Sequence, residues 1–246
     1  ALTMMEAEEG LMRLGIVAAL AAEARILSPG VVPMQTVVPF RGAGLLILSG
    51  IGSGRAAGAA RKLIDHGAEA LLSWGIAAGL AADLAAGTLV VPETVVDDAG
   101  ETFATDRAWR KRVTGRLGAF LTVSNGMLVQ GRAMLVTGQD KINLATATGA
   151  VAMDMESGAV AAVAREAGIP FLAVRAISDP VGMSIPPGVL AAVDRYGRVR
   201  SLRMFLRLAR HPGEVMGIVA LGWSFRAACR TLRAAGGDES VFPPAG

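Results

Sequence analysis

Acids, glycines and small residues gather in this sequence at the ends of apolar runs, where a strand would give way to a loop or a helix. Met153-Asp154-Met155-Glu156 sets two carboxylates at such a junction, ahead of a small-residue helix candidate. Arg175-Ala176-Ile177-Ser178-Asp179-Pro180 ends the next apolar run with a cation, a hydroxyl and an acid, and Glu23 stands just beyond the first. Carboxyl groups brought together in a crevice can do acid or base work on a ligand. Each also has a plainer use, Asp179 as a cap ahead of a turn and Glu156 as the dipole partner of a helix start. Trp74-Gly75-Ile76-Ala77-Ala78-Gly79-Leu80 puts small residues directly after a strand, where a ligand can approach backbone amides closely. Gly50-Ile51-Gly52-Ser53-Gly54 opens a helix after a strand and suits a structural turn, a ribose or an anion. A dinucleotide site would also want an acid at the end of the next strand, and Ala70–Trp74 runs into Gly75 without one.

The elements that must position these groups follow a repeated strand-helix rhythm. Strand candidates are Leu14–Leu20, Val37–Phe40, Gly44–Ser49, Ala70–Trp74, Thr88–Val96, Phe120–Val123, Ala133–Thr137, Val151–Met153 and Phe171–Ala176. Helix candidates are Ala22–Leu27, Gly54–His66, Asp106–Leu117, Ile142–Thr148 and Glu156–Ala167, the last stopped by Gly168 and Pro170. Such alternation predicts a mostly parallel or mixed sheet covered by helices. In an open sheet of that kind a ligand lies outside the carboxyl ends of the strands, so Glu23, the 75–79 turn, Glu156 and Asp179 are expected to converge there.

With 52% hydrophobic and 18% charged residues the chain of 246 is far too apolar for intrinsic disorder. One cysteine, Cys229, and two histidines, His66 and His211, cannot assemble the usual zinc ligand sets, so a reduced, cytoplasmic protein without a structural metal is expected. The uncharged runs 70–82 and 215–225 are too short to cross a bilayer, and the start of the chain, with Glu6, Glu8 and Glu9, does not read as a signal peptide. From Arg195 to Arg233 nine arginines stand against one acid, Glu214, a net +8; the chain's +3 then leaves −5 on the remainder. A basic tail on an acidic body points to an anionic surface as partner. The body is expected over residues 13–187 and a basic amphipathic helical extension over 188–236, packed on or beside it.

Five ordered blocks resemble the nucleoside phosphorylase and nucleosidase family, above all its methylthioadenosine/S-adenosylhomocysteine nucleosidases. Gly15-Ile16-Val17-Ala18-Ala19-Leu20-Ala21-Ala22-Glu23 is similar to their opening Gly-Ile-Ile-Gly-Ala-Met-Glu-Glu-Glu. Ser49-Gly50-Ile51-Gly52, Gly75-Ile76-Ala77-Ala78-Gly79-Leu80, Met155-Glu156 and Arg175-Ala176-Ile177-Ser178-Asp179 follow in the family's order. The resemblance implies a three-layer α/β/α sandwich with a mixed central sheet, and cleavage of an N-ribosyl bond. It implies Asp179 as the acid that protonates purine N7, oriented by Ser178, and Glu23 as the acid that activates water. Glu156 would bind the ribose hydroxyls and Met155 would lie under the sugar. Asp154, Ile76, Ala77, Gly79, Lys141, Ile142 and Arg175 would complete the substrate pocket, with the base read by backbone at 141–142. No cofactor, metal or nucleic acid is implied, and the family's members are homo-oligomers whose pockets borrow partner residues.

The departures bear on the nucleophile. Ile76 stands where the family usually carries Ser, and Ser73 where its phosphorylases carry the Arg of a phosphate motif. Arg25, Arg55 or the Gly52 helix start could hold an anion instead, so inorganic phosphate stays open as a co-substrate beside water. Lys141 replaces an aromatic that packs on adenine in the nucleosidases. The basic extension is similar to that of hopanoid-associated phosphorylases, which remove adenine from adenosylhopane, and a triterpenoid-linked substrate would give its amphipathic stretches, Ser201–His211 and 215–233, a use at the inner face of the cell membrane. A helical pair that only caps the body is the plainer alternative. The other readings are a nucleosidase of small adenosine-type substrates and a non-catalytic nucleotide-binding module at membranes.

Overall fold

The computed structural model describes residues 12–186, 189 and 214–242. Eleven strands form one mixed sheet: β1 (Leu14–Ala18), β2 (Val37–Phe40), β3 (Gly44–Leu48), β4 (Ala70–Gly79), β5 (Leu89–Val90), β6 (Thr94–Val96), β7 (Thr102–Ala104), β8 (Val123–Ser124), β9 (Leu128–Gln130), β10 (Ala152–Asp154) and β11 (Phe171–Asp179). The helices are α1 (Ala21–Leu27), α2 (Ser53–Asp65), α3 (Arg107–Leu117), α4 (Gly138–Thr148), α5 (Ser157–Glu166) and α6 (Val215–Gly237).

Period-two alternation in the strands divides the interior between the two faces of the sheet. Ile16, Ala18, Leu46, Leu48, Leu172, Val174 and Ala176 turn to a core shared with α1, α3 and α6. Their neighbours Val17, Ile47, Ala173 and Ile177 turn to a second core, shared with α2 and α5. Two apolar cores on opposite faces of one sheet make the expected three-layer sandwich.

β4 is the hub. Its first half pairs in parallel with β1, Leu14 against Ala70 through Ala18 against Trp74, while its far end pairs antiparallel with β10 at Ala78 and Gly79. On that edge Gly75, Ile76 and Ala77 lie between the two partner strands. On the other edge β11 follows β4 from Phe171 to Asp179, with a bulge that puts Ser178 between the Ile177–Ala77 and Asp179–Ala78 pairs. A bulge of this kind re-aims the side chains beside it.

Several expectations need correction. The run 133–137 is not a strand: Thr137 caps α4, its hydroxyl accepting from the Asp140 amide while the Asp140 carboxylate accepts from the Thr137 amide, so the helix starts at Gly138, ahead of Ile142. The run 88–96 breaks around Pro92 into β5 and β6, which lie in different parts of the sheet. β7 and β9, three residues each, had no periodic signal to mark them. β4 and β11 run beyond Trp74 and Ala176 into the candidate site itself.

Ser201–His211 lies outside the described residues. The second amphipathic stretch is one helix of 23 residues, α6, whose Ala228, Leu232 and Ala235 are fully buried in the same core as β4 and β11. Gly236 lies against Trp74 and Leu27, Thr231 donates to the Gly87 carbonyl at 2.7 Å, and Arg41 donates to the Gly236 carbonyl at 2.7 Å. Among the described residues no helix is long and apolar enough to cross a membrane.

Candidate active site

Glu23 sits in the first turn of α1, directly after β1, and its side chain turns back into the gap in the β4 edge. One carboxyl oxygen accepts from the Ile76 amide at 2.9 Å; the other accepts from the amides of Ala19 and Leu20 at 3.0 and 2.8 Å. Gly75 makes this approach possible, because a Cβ there would run into both the Glu23 carboxyl and the Arg175 guanidinium. Burial pushes the Glu23 carboxyl above its ordinary value, against the pull of Arg175 and the three amides.

Glu156 stands at the junction of β10 and α5. Its carboxylate accepts from the Gly52 amide at 2.8 Å, so the start of α2 faces an anion supplied by the chain. Burial first, and the neighbouring Asp154 second, push its carboxyl up to about 7. The Gly52 amide, expected as a candidate for holding an anion, has the Glu156 carboxyl as its acceptor. Arg55 donates to the Ile51 carbonyl and its stem packs beside Gly50, and Arg25 is exposed on α1.

Asp154 and Arg175, read as substrate-binding, are bonded to each other. Asp154 pairs with the Arg175 Nε at 2.6 Å and takes the Ser157 hydroxyl, while its other oxygen accepts from the amides of Glu156 and Ser157. Arg175, 1% exposed, also donates to Ser73 Oγ at 2.6 Å and to Ser157 Oγ at 3.0 Å. Sequence reasoning missed Ser157 and read Ser73 only as a lost phosphate ligand. A buried arginine 21 residues away from its acid has no local pattern, although the hydroxyl at the start of α5 is the kind of group that could satisfy it. Arg175 pulls the carboxyls of both Glu23 and Glu156 down, while Asp154 pushes that of Glu156 up.

Asp179 ends β11 beside the bulge. Its Oδ1 meets Ser178 Oγ at 2.6 Å, and that hydroxyl also reaches the Ala77 carbonyl at 3.3 Å. Its Oδ2 is paired at 2.9 Å with Nζ of Lys141, which is fully buried. Burial still pushes the Asp179 carboxyl above its ordinary value, outweighing Lys141 and Ser178. Lys141 and Ile142, expected to read a base by backbone, stand in the first turns of α4. The Lys141 amide donates to the Thr137 carbonyl, and the Lys141 side chain reaches Asp179. Ile76, Ala77 and Gly79 line the same stretch of β4, and Met155 is half-buried against the small cluster of Leu80, Val129 and Met153.

The structure thus brings Glu23, Ile76, Ala77, Glu156, Ser178 and Asp179 to the carboxyl ends of β1, β4, β10 and β11. Cys229 on α6 is tied to this end: burial and the Glu23 charge both raise its thiol. It lies in a groove of about 370 Å³ with Trp223, Arg226, Arg230 and Arg233.

Solved structures share this architecture. The 5′-methylthioadenosine/S-adenosylhomocysteine nucleosidase of Neisseria meningitidis, in complex with methylthio-immucillin-A, superposes with a TM-score of 0.67 at 19% identity, over 92% of this chain and 98% of that one. Futalosine hydrolase of Helicobacter pylori gives 0.64 at 18% over 92% and 97%, and S-adenosylhomocysteine nucleosidase of Streptococcus pyogenes, with 5-methylthiotubericidin, gives 0.65 at 20% over 96% and 99%. At such identities the likeness is one of fold. No curated protein sequence matches the chain. The sequence pattern of the phosphorylase superfamily, however, matches residues 41–189, more than half of the chain and the stretch that builds β3 through β11; the chain belongs to that superfamily.

Proposed function

We propose that the chain hydrolyses the N-glycosidic bond of an adenine nucleoside. One observation carries the reading: three buried carboxyl groups, Glu23, Glu156 and Asp179, meet at the carboxyl ends of the strands, Asp179 pushed by burial toward the form that gives a proton, while three backbone amides and Arg175 favour the ionised form of Glu23 that accepts one. Protonated Asp179 gives its proton to N7 of the purine as the bond between the base and C1′ breaks, and the bonding electrons leave with neutral adenine. Glu23 accepts a proton from the water that adds to the cationic C1′. Glu156 accepts hydrogen bonds from the ribose hydroxyls. Water is favoured over phosphate as nucleophile because Ser73 is held by Arg175 and the Gly52 amide is taken by Glu156.

For the substrate's 5′ side, adenosylhopane is the reading that α6 supports. Its outer surface exposes Met216 (80%), Val219 and Trp223 (63%) beside Arg226, an apolar and basic combination suited to a lipid-linked substrate at an anionic surface. Mass spectrometry of adenine release from adenosylhopane and from methylthioadenosine, each with and without phosphate, tests both parts. Adenine from adenosylhopane alone supports the lipid reading. Release from methylthioadenosine alone leaves a small-substrate nucleosidase, and release from neither overturns the enzymatic reading.

A further inference from the structure

Lys141, which stands where the family carries an aromatic, has its ammonium enclosed by oxygens. It is fully buried on α4, and its Nζ lies 2.9 Å from each of three carbonyl oxygens, those of Asp179, Pro180 and Met183, as well as from Oδ2 of Asp179. Three carbonyls and one carboxylate are acceptors fit for an ammonium, which has three donors and no acceptor capacity. That lysine therefore latches α4 to the turn after β11, and the same contact engages one oxygen of the acid assigned above. Gly138, at the start of α4, packs against the Val181 carbonyl of that turn so closely that a Cβ would not fit.

We propose that Lys141 is a positioning residue that fixes which oxygen of Asp179 carries the acidic proton and over what pH range it does so. The proposal rests on Asp179 being the acid. An ammonium at Oδ2 cannot accept, so a proton on that oxygen would face a donor. Oδ1 faces Ser178, whose hydroxyl can serve both states. It donates to Oδ1 when the carboxylate is ionised, and it turns to the Ala77 carbonyl, 3.3 Å away, when Oδ1 is protonated. The proton thus resides on Oδ1. Other charges nearby are turned elsewhere: Asp140 on α4 faces Thr137, Arg175 on β11 faces Asp154, and Glu23 faces the Ile76 amide of β4. The turn 180–183 carries no ionisable side chain.

Lys141→Gln keeps donors in the pocket and removes the charge. The form of Asp179 that works is the protonated one, so activity falls as pH rises through its titration; without the ammonium that alkaline limb of kcat should move up by about 1–3 pH units, the size of effect a neighbouring cation has on an aspartate. The acidic limb should stay where it is. A merely structural role would lower kcat at every pH and leave both limbs in place, and that result overturns the proposal. Where the variant does not fold, the Nζ signal of Lys141 in the wild type is followed by NMR. It should shift with the midpoint of the alkaline limb, and a signal indifferent to that limb overturns the proposal equally. Asp179→Asn separates the two ideas: full activity in that variant removes the acid and Lys141's role with it, whereas an inactive variant beside an unmoved limb in Lys141→Gln removes Lys141 alone.

Discussion

The Gly52 amide donates to the Glu156 carboxylate across 2.8 Å, joining the start of α2 to the junction of β10 and α5. Helix starts draw anions, and in this fold the anion at that start comes from the chain. The contact holds Glu156 beside the gap in β4 while removing the amide from the groups that could cradle a phosphate.

Phosphate should therefore be dispensable. Turnover in phosphate-free buffer should match turnover with phosphate, and the sugar product should be the free ribosyl compound, as judged by mass. An absolute requirement for phosphate with a sugar 1-phosphate as product would reverse the choice of nucleophile.

Asp179→Asn should lower kcat by about 10²–10⁴-fold, the usual contribution of a positioned acid, with binding of an unreactive substrate analogue nearly unchanged by calorimetry. Comparable losses in kcat and in binding would give Asp179 a structural part instead.

Glu156 offers a test in stability. A carboxyl raised in the folded state stabilises most when protonated: its contribution is full below the ordinary value of 4.5, declines as pH rises, and is gone above about 7. Wild-type protein should thus lose on the order of 3 kcal/mol from this group across that window, and Glu156→Gln should flatten the decline by that amount in urea unfolding. Parallel curves for the two proteins would show that Glu156 titrates alike folded and unfolded. In kinetics the same variant should lose its preference for ribosyl over 2′-deoxyribosyl substrates.

Most of this arrangement was legible in the sequence, for a physical reason: long apolar strands and capped helices carry strong periodic signals, and the site lies where those elements end. Glu23, Glu156 and Asp179 each follow such a run. What was hidden depends on contacts between distant segments. Lys141 in Asp140-Lys141-Ile142-Asn143 reads as a pocket residue in place of an aromatic, and only the return of β11 and its turn to α4 supplies the four oxygens around its ammonium. Arg175 and Asp154 read as ligands for the same reason, since their mutual bond spans 21 residues. The extension of β4 past Trp74 escaped because its small residues give no alternation to count, and that of β11 past Ala176 because its polar end, Ser178 and Asp179, is buried along with the rest of the strand.

Breaking the buried pair is expected to be costly. Asp154→Ala leaves the Arg175 guanidinium enclosed with two serine hydroxyls and without the carboxylate it is bonded to, a loss of about 3–5 kcal/mol by the usual behaviour of buried ion pairs. Chemical denaturation measures it; a loss under 1 kcal/mol would mean that water reaches Arg175 in the folded protein.

The last prediction separates two faces of α6. Cutting the chain after Pro187 would strip Ala228, Leu232 and Ala235 from the core over β4 and β11, so the shortened chain should not fold. Point changes are the informative route. Leu232→Ala on the buried face should cost about 2–5 kcal/mol in unfolding, as large-to-small core substitutions do. Met216→Ser with Trp223→Ser on the exposed face should leave the unfolding midpoint in place and weaken sedimentation with anionic vesicles, together with activity on the lipid-linked substrate. Arginines near such a surface contribute about 1 kcal/mol each, so vesicle binding by the wild type should also fall as salt rises. Vesicle binding that survives the double substitution and is indifferent to salt would take the membrane role away from α6 and leave it as a wall of the core.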